Sequence, residues 1–238
     1  MTRQKPGTEF LYDDQSGDIL GCKDTDGSES YFLFKPARSL PFDLANSASS
    51  VGVGELRWND NDGTLEFLLK GGNVSLRLGQ EQVVRVKNST GAPLLKGQVV
   101  YPSGSDGINK TVSLAQANGE AASSQTFAVV AEAIPNGQSG FAATFGLMTG
   151  IDTNSLDEGK PVYLSPTVAG GLTKDKPVAP NHMVVVGFCV RKQQNNGVLF
   201  VRVTNGFELD ELHNVLITNP QPGHVLTYDG TKWVNQAP

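Results

Sequence analysis

The 238-residue chain carries a formal net charge of −5, with 38 % hydrophobic and 18 % charged residues. That acidity, with no run of Lys or Arg, argues against a general nucleic-acid binder, which would present a basic face. Its 27 glycines and 13 prolines point to an all-β chain rich in tight turns.

Residues 1–54 are expected to form an N-terminal attachment arm. Phe10-Leu11-Tyr12, Ile19-Leu20-Gly21 and Tyr31-Phe32-Leu33-Phe34 alternate with the polar turns Asp13–Gly17 and Asp24–Gly27. They read as a short hairpin, marginal by itself. Pro36, Pro41 and the Ser/Ala-rich tract at 46–50 then break the pattern. Such a segment suits docking on a partner, with Phe10, Tyr12, Tyr31 and Phe32 as the expected attachment residues. The first residues, MTRQKPGTEFLYDD, place no apolar run behind their charges and so do not read as a signal peptide.

Residues 55–78 are expected to be connecting hairpins. Leu56-Arg57-Trp58 and Thr64–Leu69 flank Asn59-Asp60-Asn61-Asp62-Gly63, and Asp-Gly between apolar runs is a strong hairpin signal. Lys70-Gly71-Gly72-Asn73 makes the next turn, and Val74–Leu78 alternates with period two.

Residues 79–205 are the expected main domain, a β-barrel or sandwich of short strands. The stretch Leu76 to Tyr101, which leads into it, runs as a strand, turns at Asn88–Gly91, and returns through Lys96-Gly97 into a second strand. Further strands are expected at 111–117, 127–134, 141–148, 161–164, 183–191 and 198–204. Ala115 to Ser124 fits a helix or a loop equally. Met183 to Val190, the longest apolar stretch, is too short to span a membrane.

Residues 206–238 lose strand density. Glu208–Leu212 is expected to make one helical turn, and Val225–Val234 a hairpin around Asp229-Gly230. One hairpin carrying Tyr228 and Trp233 has no core to bury them in. Val225, Tyr228, Trp233 and Val234 are therefore the expected interface residues.

Motifs of chemistry are sparse. The turns Asp24–Glu29 and Asn59–Gly63 resemble fragments of calcium loops but lack the fixed offsets and the terminal Glu. His182, His213 and His224 stand far apart with no ligand at metal spacing. Glu208, Asp210 and Glu211 read as a solvated face rather than an acid–base pair. Lys70-Gly71-Gly72 lacks the phosphate-loop spacing. Asn88-Ser89-Thr90 and Asn109-Lys110-Thr111 match the glycosylation sequon but read as turn composition. Cys22 and Cys189 are expected to be separate free thiols. No catalytic residue, cofactor or metal is expected, and no nucleic acid or membrane partner.

The run GTLEFLLKGGNVSLRLGQEQVVRVKNSTGAPLLKGQVVYPSG, with MTGIDTNSLDEGKPVYLSPTVAGGLT, KPVAPNHMVVVGFCV and the segment 196–201, resembles a module of tailed-bacteriophage virion structural proteins of the tail-fibre type. The likeness covers about residues 55–205. The end, ELHNVLITNPQPGHVLTYDGTKWVN, is similar to a second phage element that links fibre domains in homotrimers. The resemblance implies a non-enzymatic, homotrimeric virion protein. It would bind other virion proteins (tail, baseplate, connector or capsid) through the N-terminal arm, and itself or a distal fibre protein through a C-terminal hairpin stalk. It carries over no catalytic residues. A capsid decoration protein or head fibre would fit similar features. A glycan-binding or depolymerising host-recognition protein is the reading from another class, although aromatics are only 8 % of the chain.

Overall fold

The computed structural model describes residues 52–238 and, of the first 51 residues, the backbone of three strands. The chain is mostly β. It divides into two compact units, Met1–Asn46 and Ser47–Pro238. In the first unit, β1 (Glu9–Tyr12), β2 (Ile19–Lys23) and β3 (Glu29–Tyr31) form an antiparallel sheet in the order β1-β2-β3. This is a three-stranded meander rather than the single hairpin expected.

The second unit opens with β4 (Leu56–Asn59), β5 (Thr64–Leu68) and β6 (Ser75–Arg77), each antiparallel to the next. Gly63, Gly71 and Gly72 all have positive φ, a backbone state that suits glycine at the two turns. This small sheet does not stand alone. Leu69 and the buried Val74 join the main core. The Asn73 side-chain amide donates to Glu132 Oε2 at 3.0 Å, and Glu132 Oε1 accepts the Phe141 backbone N–H at 3.0 Å.

The main sheet contains β7 (Gln82–Asn88), β8 (Val99–Ser105), β9 (Lys110–Leu114), β10 (Ala128–Val130), β11 (Ser139–Ile151), β12 (Pro161–Leu164), β13 (Leu172–Thr173), β14 (Val184–Arg191) and β15 (Gly197–Asn205). Their order is β10-β8-β9-β7-β11-β15-β14-β12-β13, and β10 pairs again with β11. Five strands therefore close a circuit of pairings, and the remaining four extend from β11. The strand–turn–strand stretch at the front of this domain holds one surprise. The returning strand β8 does not lie beside β7. Instead β9 stands between them, antiparallel to β8 and parallel to β7.

β11 holds the two halves together. Its first half pairs with β7, and Ala142 and Ala143 also pair with β10. Its second half, from Phe145 to Ile151, pairs with β15. The period-two geometry of a strand sends successive side chains to opposite faces. Val100, Val130 and Ala142 accordingly enter one core with Val86, Leu94, Val112 and Ile134. Their neighbours Val99, Val129 and Ala143 enter a second core with Met148, Leu164, Val186, Leu199 and Val201. Strands buried on both faces read as continuous apolar runs, which is why Ala128-Val129-Val130 shows no alternation.

Two polar devices fix the connections. Leu94 is fully buried and exchanges both backbone hydrogen bonds with Ile134, at 2.9 Å each. Burying such a side chain contributes about 2 kcal/mol. Asn88, also fully buried, donates from Nδ2 to the Ala92 and Ile134 carbonyls, both at 2.8 Å. Its Oδ1 accepts from the Thr90 N–H and hydroxyl at 2.9 and 2.8 Å. The side chain of the first sequon is thus consumed inside the fold. The undecided stretch 115–124 ends in one short helix, α1 (Glu120–Ser124). Among the described residues no helix is long and apolar enough to cross a membrane.

Candidate functional site

The C-terminal segment forms a third sheet of the second unit. β16 (Val215–Leu216) pairs parallel to β18 (Trp233–Gln236), and β17 (Val225–Tyr228) pairs antiparallel to it. The hairpin lies where the sequence expects it, and β16 is an addition. Asn235 fastens the three strands. Its side-chain amide donates to the Thr218 carbonyl at 3.0 Å, and its Oδ1 accepts the Thr218 N–H at 2.7 Å. Asp229 closes the hairpin turn by accepting the Thr231 and Lys232 N–H groups at 2.8 and 2.9 Å. These backbone bonds hold its carboxyl below the ordinary range.

Of the expected interface residues, Val225, Tyr228 and Trp233 are exposed and Val234 is half-buried. Tyr228 and Trp233 sit directly opposite each other, with ring centroids 5.6 Å apart. In the same segment Phe207, Leu209, Leu212, Leu216 and Leu226 are also exposed. No residue after Val201 is buried. A three-stranded sheet with no buried side chain lacks the burial that stabilises small sheets. The expected helical turn is a 3₁₀ turn, Leu209–Glu211, closed by the Glu208 N–H donating to Glu211 Oε2 at 2.5 Å. Next to it, His182 Nδ1 lies 2.9 Å from Glu208 Oε1 and 3.5 Å from Glu120 Oε2, so the start of the segment is tied to the main domain. A groove of about 400 Å³ crosses the segment, lined by Leu209, Val225, Leu226 and His224 with Glu208 and Asp210 at its walls.

Of the expected attachment residues, Phe10 and Tyr12 lie on β1 and Tyr31 ends β3. Their side chains, and Phe32 altogether, lie outside the described residues.

A second apolar face went unforeseen. On the outer side of the main sheet, Leu147 pairs with Phe200, Phe200 with Phe188, and Phe188 with Pro161. The four form one uncharged row across β11, β15, β14 and β12. Phe145 stands beside it at 5.2 Å from Phe200 in an edge-to-face contact. Phe188 is 41 % exposed, Phe145 38 % and the neighbouring Val190 51 %. The sequence expects 183–191 as a strand and assigns it no outward face. Irregular pairing between Val185 and Gly187, and again between Cys189 and Arg191, hides which residues face outward.

A polar cleft of about 320 Å³ lies between the small sheet and β11, lined in part by Glu66, Arg77, Glu81, Lys96, Phe145 and Leu147. Burial raises the Glu66 carboxyl, but hydrogen bonds from Ser75, Arg57 and Asn59 outweigh it and leave it below its ordinary value. Arg77 bridges Asp62 at 3.0 Å and Glu81 at 2.5 Å. Arg57 pairs with Glu66, and Arg77 with Asp62 and Glu81, so ion pairs tie the small sheet together at this cleft. In the Asn59–Gly63 turn, Asp60 accepts from Trp58 Nε1 and Asp62 is paired with Arg77, so turn chemistry occupies these acids. Among the described residues, no group of three or more His, Cys, Asp or Glu side chains could hold a metal ion. Cys189 is a free, buried thiol. Comparison with family models, curated proteins and solved structures finds no match to this chain.

Proposed function

We propose that this chain is a non-enzymatic structural protein of a bacteriophage virion, a homotrimer belonging to the tail-fibre apparatus. Residues 1–54 attach it to the particle, the closed strand circuit of the main domain serves as a barrel-like collar, and the C-terminal sheet begins the stalk. The observation that carries this reading is the C-terminal sheet itself. It is built around an exposed Tyr228–Trp233 pair with no buried side chain, so its stability is best supplied by neighbouring copies. Obligate oligomer interfaces are larger and more apolar than transient ones. The resemblance of residues 55–205 and of the C-terminal segment to phage fibre elements supports the same role.

Sedimentation equilibrium of the full chain at micromolar concentration tests the assembly, with a trimer mass expected and a monomer overturning it. Labelled antibody on intact particles tests the placement. Density at the tail is expected, whereas hundreds of copies over the capsid lattice would identify a decoration protein instead.

A further inference from the structure

The outer row Leu147–Phe200–Phe188–Pro161 and the C-terminal groove are both apolar and opposite in flanking charge. The row is apolar and carries an arginine on either side. Phe145 pairs with Arg202 in the adjacent register, and Val198 pairs with Arg191 on the other side. Neither arginine has a carboxylate partner among the described residues, although Arg191 donates to the Asn196 carbonyl. The groove is the opposite case. Leu209, Val225 and Leu226 line it with His224, and Asp210 supplies acid at its wall beside Glu208, which His182 already engages. The segment 206–238 holds four acids, Glu208, Asp210, Glu211 and Asp229, against one base, Lys232.

Among the described residues nothing covers either surface, since Phe188 and Leu226 are each 41 % exposed. An exposed apolar row on a sheet whose other side already forms a core marks an interaction surface. On a chain of net charge −5, an arginine-flanked patch finds its complement in an acid-walled one.

We propose that the C-terminal segment of one copy packs across the Phe188–Phe200 row of the next copy, its acids facing Arg202 and Arg191. The contact is head-to-tail, because each copy offers a different surface to each neighbour. Such contacts close into a ring when the rotation permits. The proposal rests on the homotrimer reading and deepens it by naming the two surfaces that meet.

The test uses the full chain with two single substitutions, Phe188→Asp on the row and Leu226→Asp in the groove. Both positions are exposed. Circular dichroism and thermal melts of each variant confirm folding before association is read. Each variant alone should sediment as a monomer, with association at least about thirtyfold weaker, the scale of a lost hot-spot side chain. An equimolar mixture should form a one-to-one dimer, because Phe188→Asp keeps an intact groove and Leu226→Asp an intact row. A mixture that stays monomeric overturns the head-to-tail contact. A Phe188→Asp variant that still forms the wild-type trimer removes the row from the interface while leaving the trimer standing. A monomeric wild type sinks the trimer reading and this proposal together. Should Phe188→Asp fail to fold, Arg202→Glu on the same face replaces it, and should Leu226→Asp fail, Asp210→Lys in the groove replaces it. Weakened association supports the contact, and unchanged association overturns it.

Discussion

Gly187 lies directly beneath the carbonyl of Phe200. A Cβ added at Gly187 would stand 2.0 Å from that oxygen, closer than any real contact. The close approach follows the irregular pairing of β14 on β15 and sets Phe188 opposite Phe200. Because the obstacle is backbone, no side chain can swing away to relieve it. Gly187→Ala should therefore separate β14 from β15 and destabilise the second unit by about 3 kcal/mol, the upper part of the range for overpacking. That corresponds to a melting point lower by roughly 6–12 °C. A melt unchanged within a degree would show that the strands separate at little cost.

Asn88 is the hub of the 88–94 connection. Asn88→Ala removes four hydrogen bonds and leaves the Ile134 carbonyl short of one partner in the interior. The cost should be about 3 kcal/mol, since a buried polar group pays its full desolvation when its partner is lost. Denaturant unfolding measures it. Faster amide exchange at Leu94 and Ile134 should accompany it, and protection equal to wild type there would refute the hub role.

Trp233→Ala should weaken the proposed trimer by about 2 kcal/mol per copy, the scale of an interface hot spot. Measured on dissociated chains, the melt of the main domain should not move, because Trp233 lies on a sheet with no buried side chain. Cross-linking and tryptophan fluorescence on the same sample read both effects. An intact trimer with a destabilised main domain would mean that Trp233 serves its own chain.

Glu66 makes the small sheet sensitive to acid. Its folded pKa is depressed below the ordinary 4.5, against the upward push of burial, by hydrogen bonds from Ser75, Arg57 and Asn59. A depressed carboxyl contributes stability that is complete above the unfolded pKa and is lost as pH falls through the folded one. Glu66→Gln should therefore be destabilising at neutral pH. The gap to wild type should narrow below about pH 4.5, where the wild type loses the same contribution. Melts from pH 7 to pH 3 measure this, and a gap that widens in acid would contradict the assignment.

Strand positions were largely legible because turn chemistry is local. Asp62-Gly63 marks the β4–β5 turn, and Pro161–Leu164 falls where alternation puts it. Pairing order was less legible. Nothing local in Lys110–Leu114 announces that it will lie parallel to β7, since a parallel partner is chosen by burial at a distance. The outer phenylalanines were missed for a related reason. Apolar runs predict burial, and the irregular pairings that turn Phe188 outward depend on the partner strand. The C-terminal hairpin was visible from Asp229-Gly230, but its partner β16, only two residues long, was below the reach of periodicity.

The single long strand β11 has a consequence for how the second unit comes apart. Ser139–Ile151 donates its first half to the closed circuit and its second half to the extension on β15. Neither half can shed β11 without stripping the other of a neighbour. Amides on β7, β10 and β15 should thus exchange with solvent in one concerted opening at the global free energy, while the C-terminal sheet of an isolated chain exchanges early by local fraying. In the trimer proposed above the early-exchanging sheet would be the one clamped between copies, so the softest part of the second unit would become rigid only on assembly.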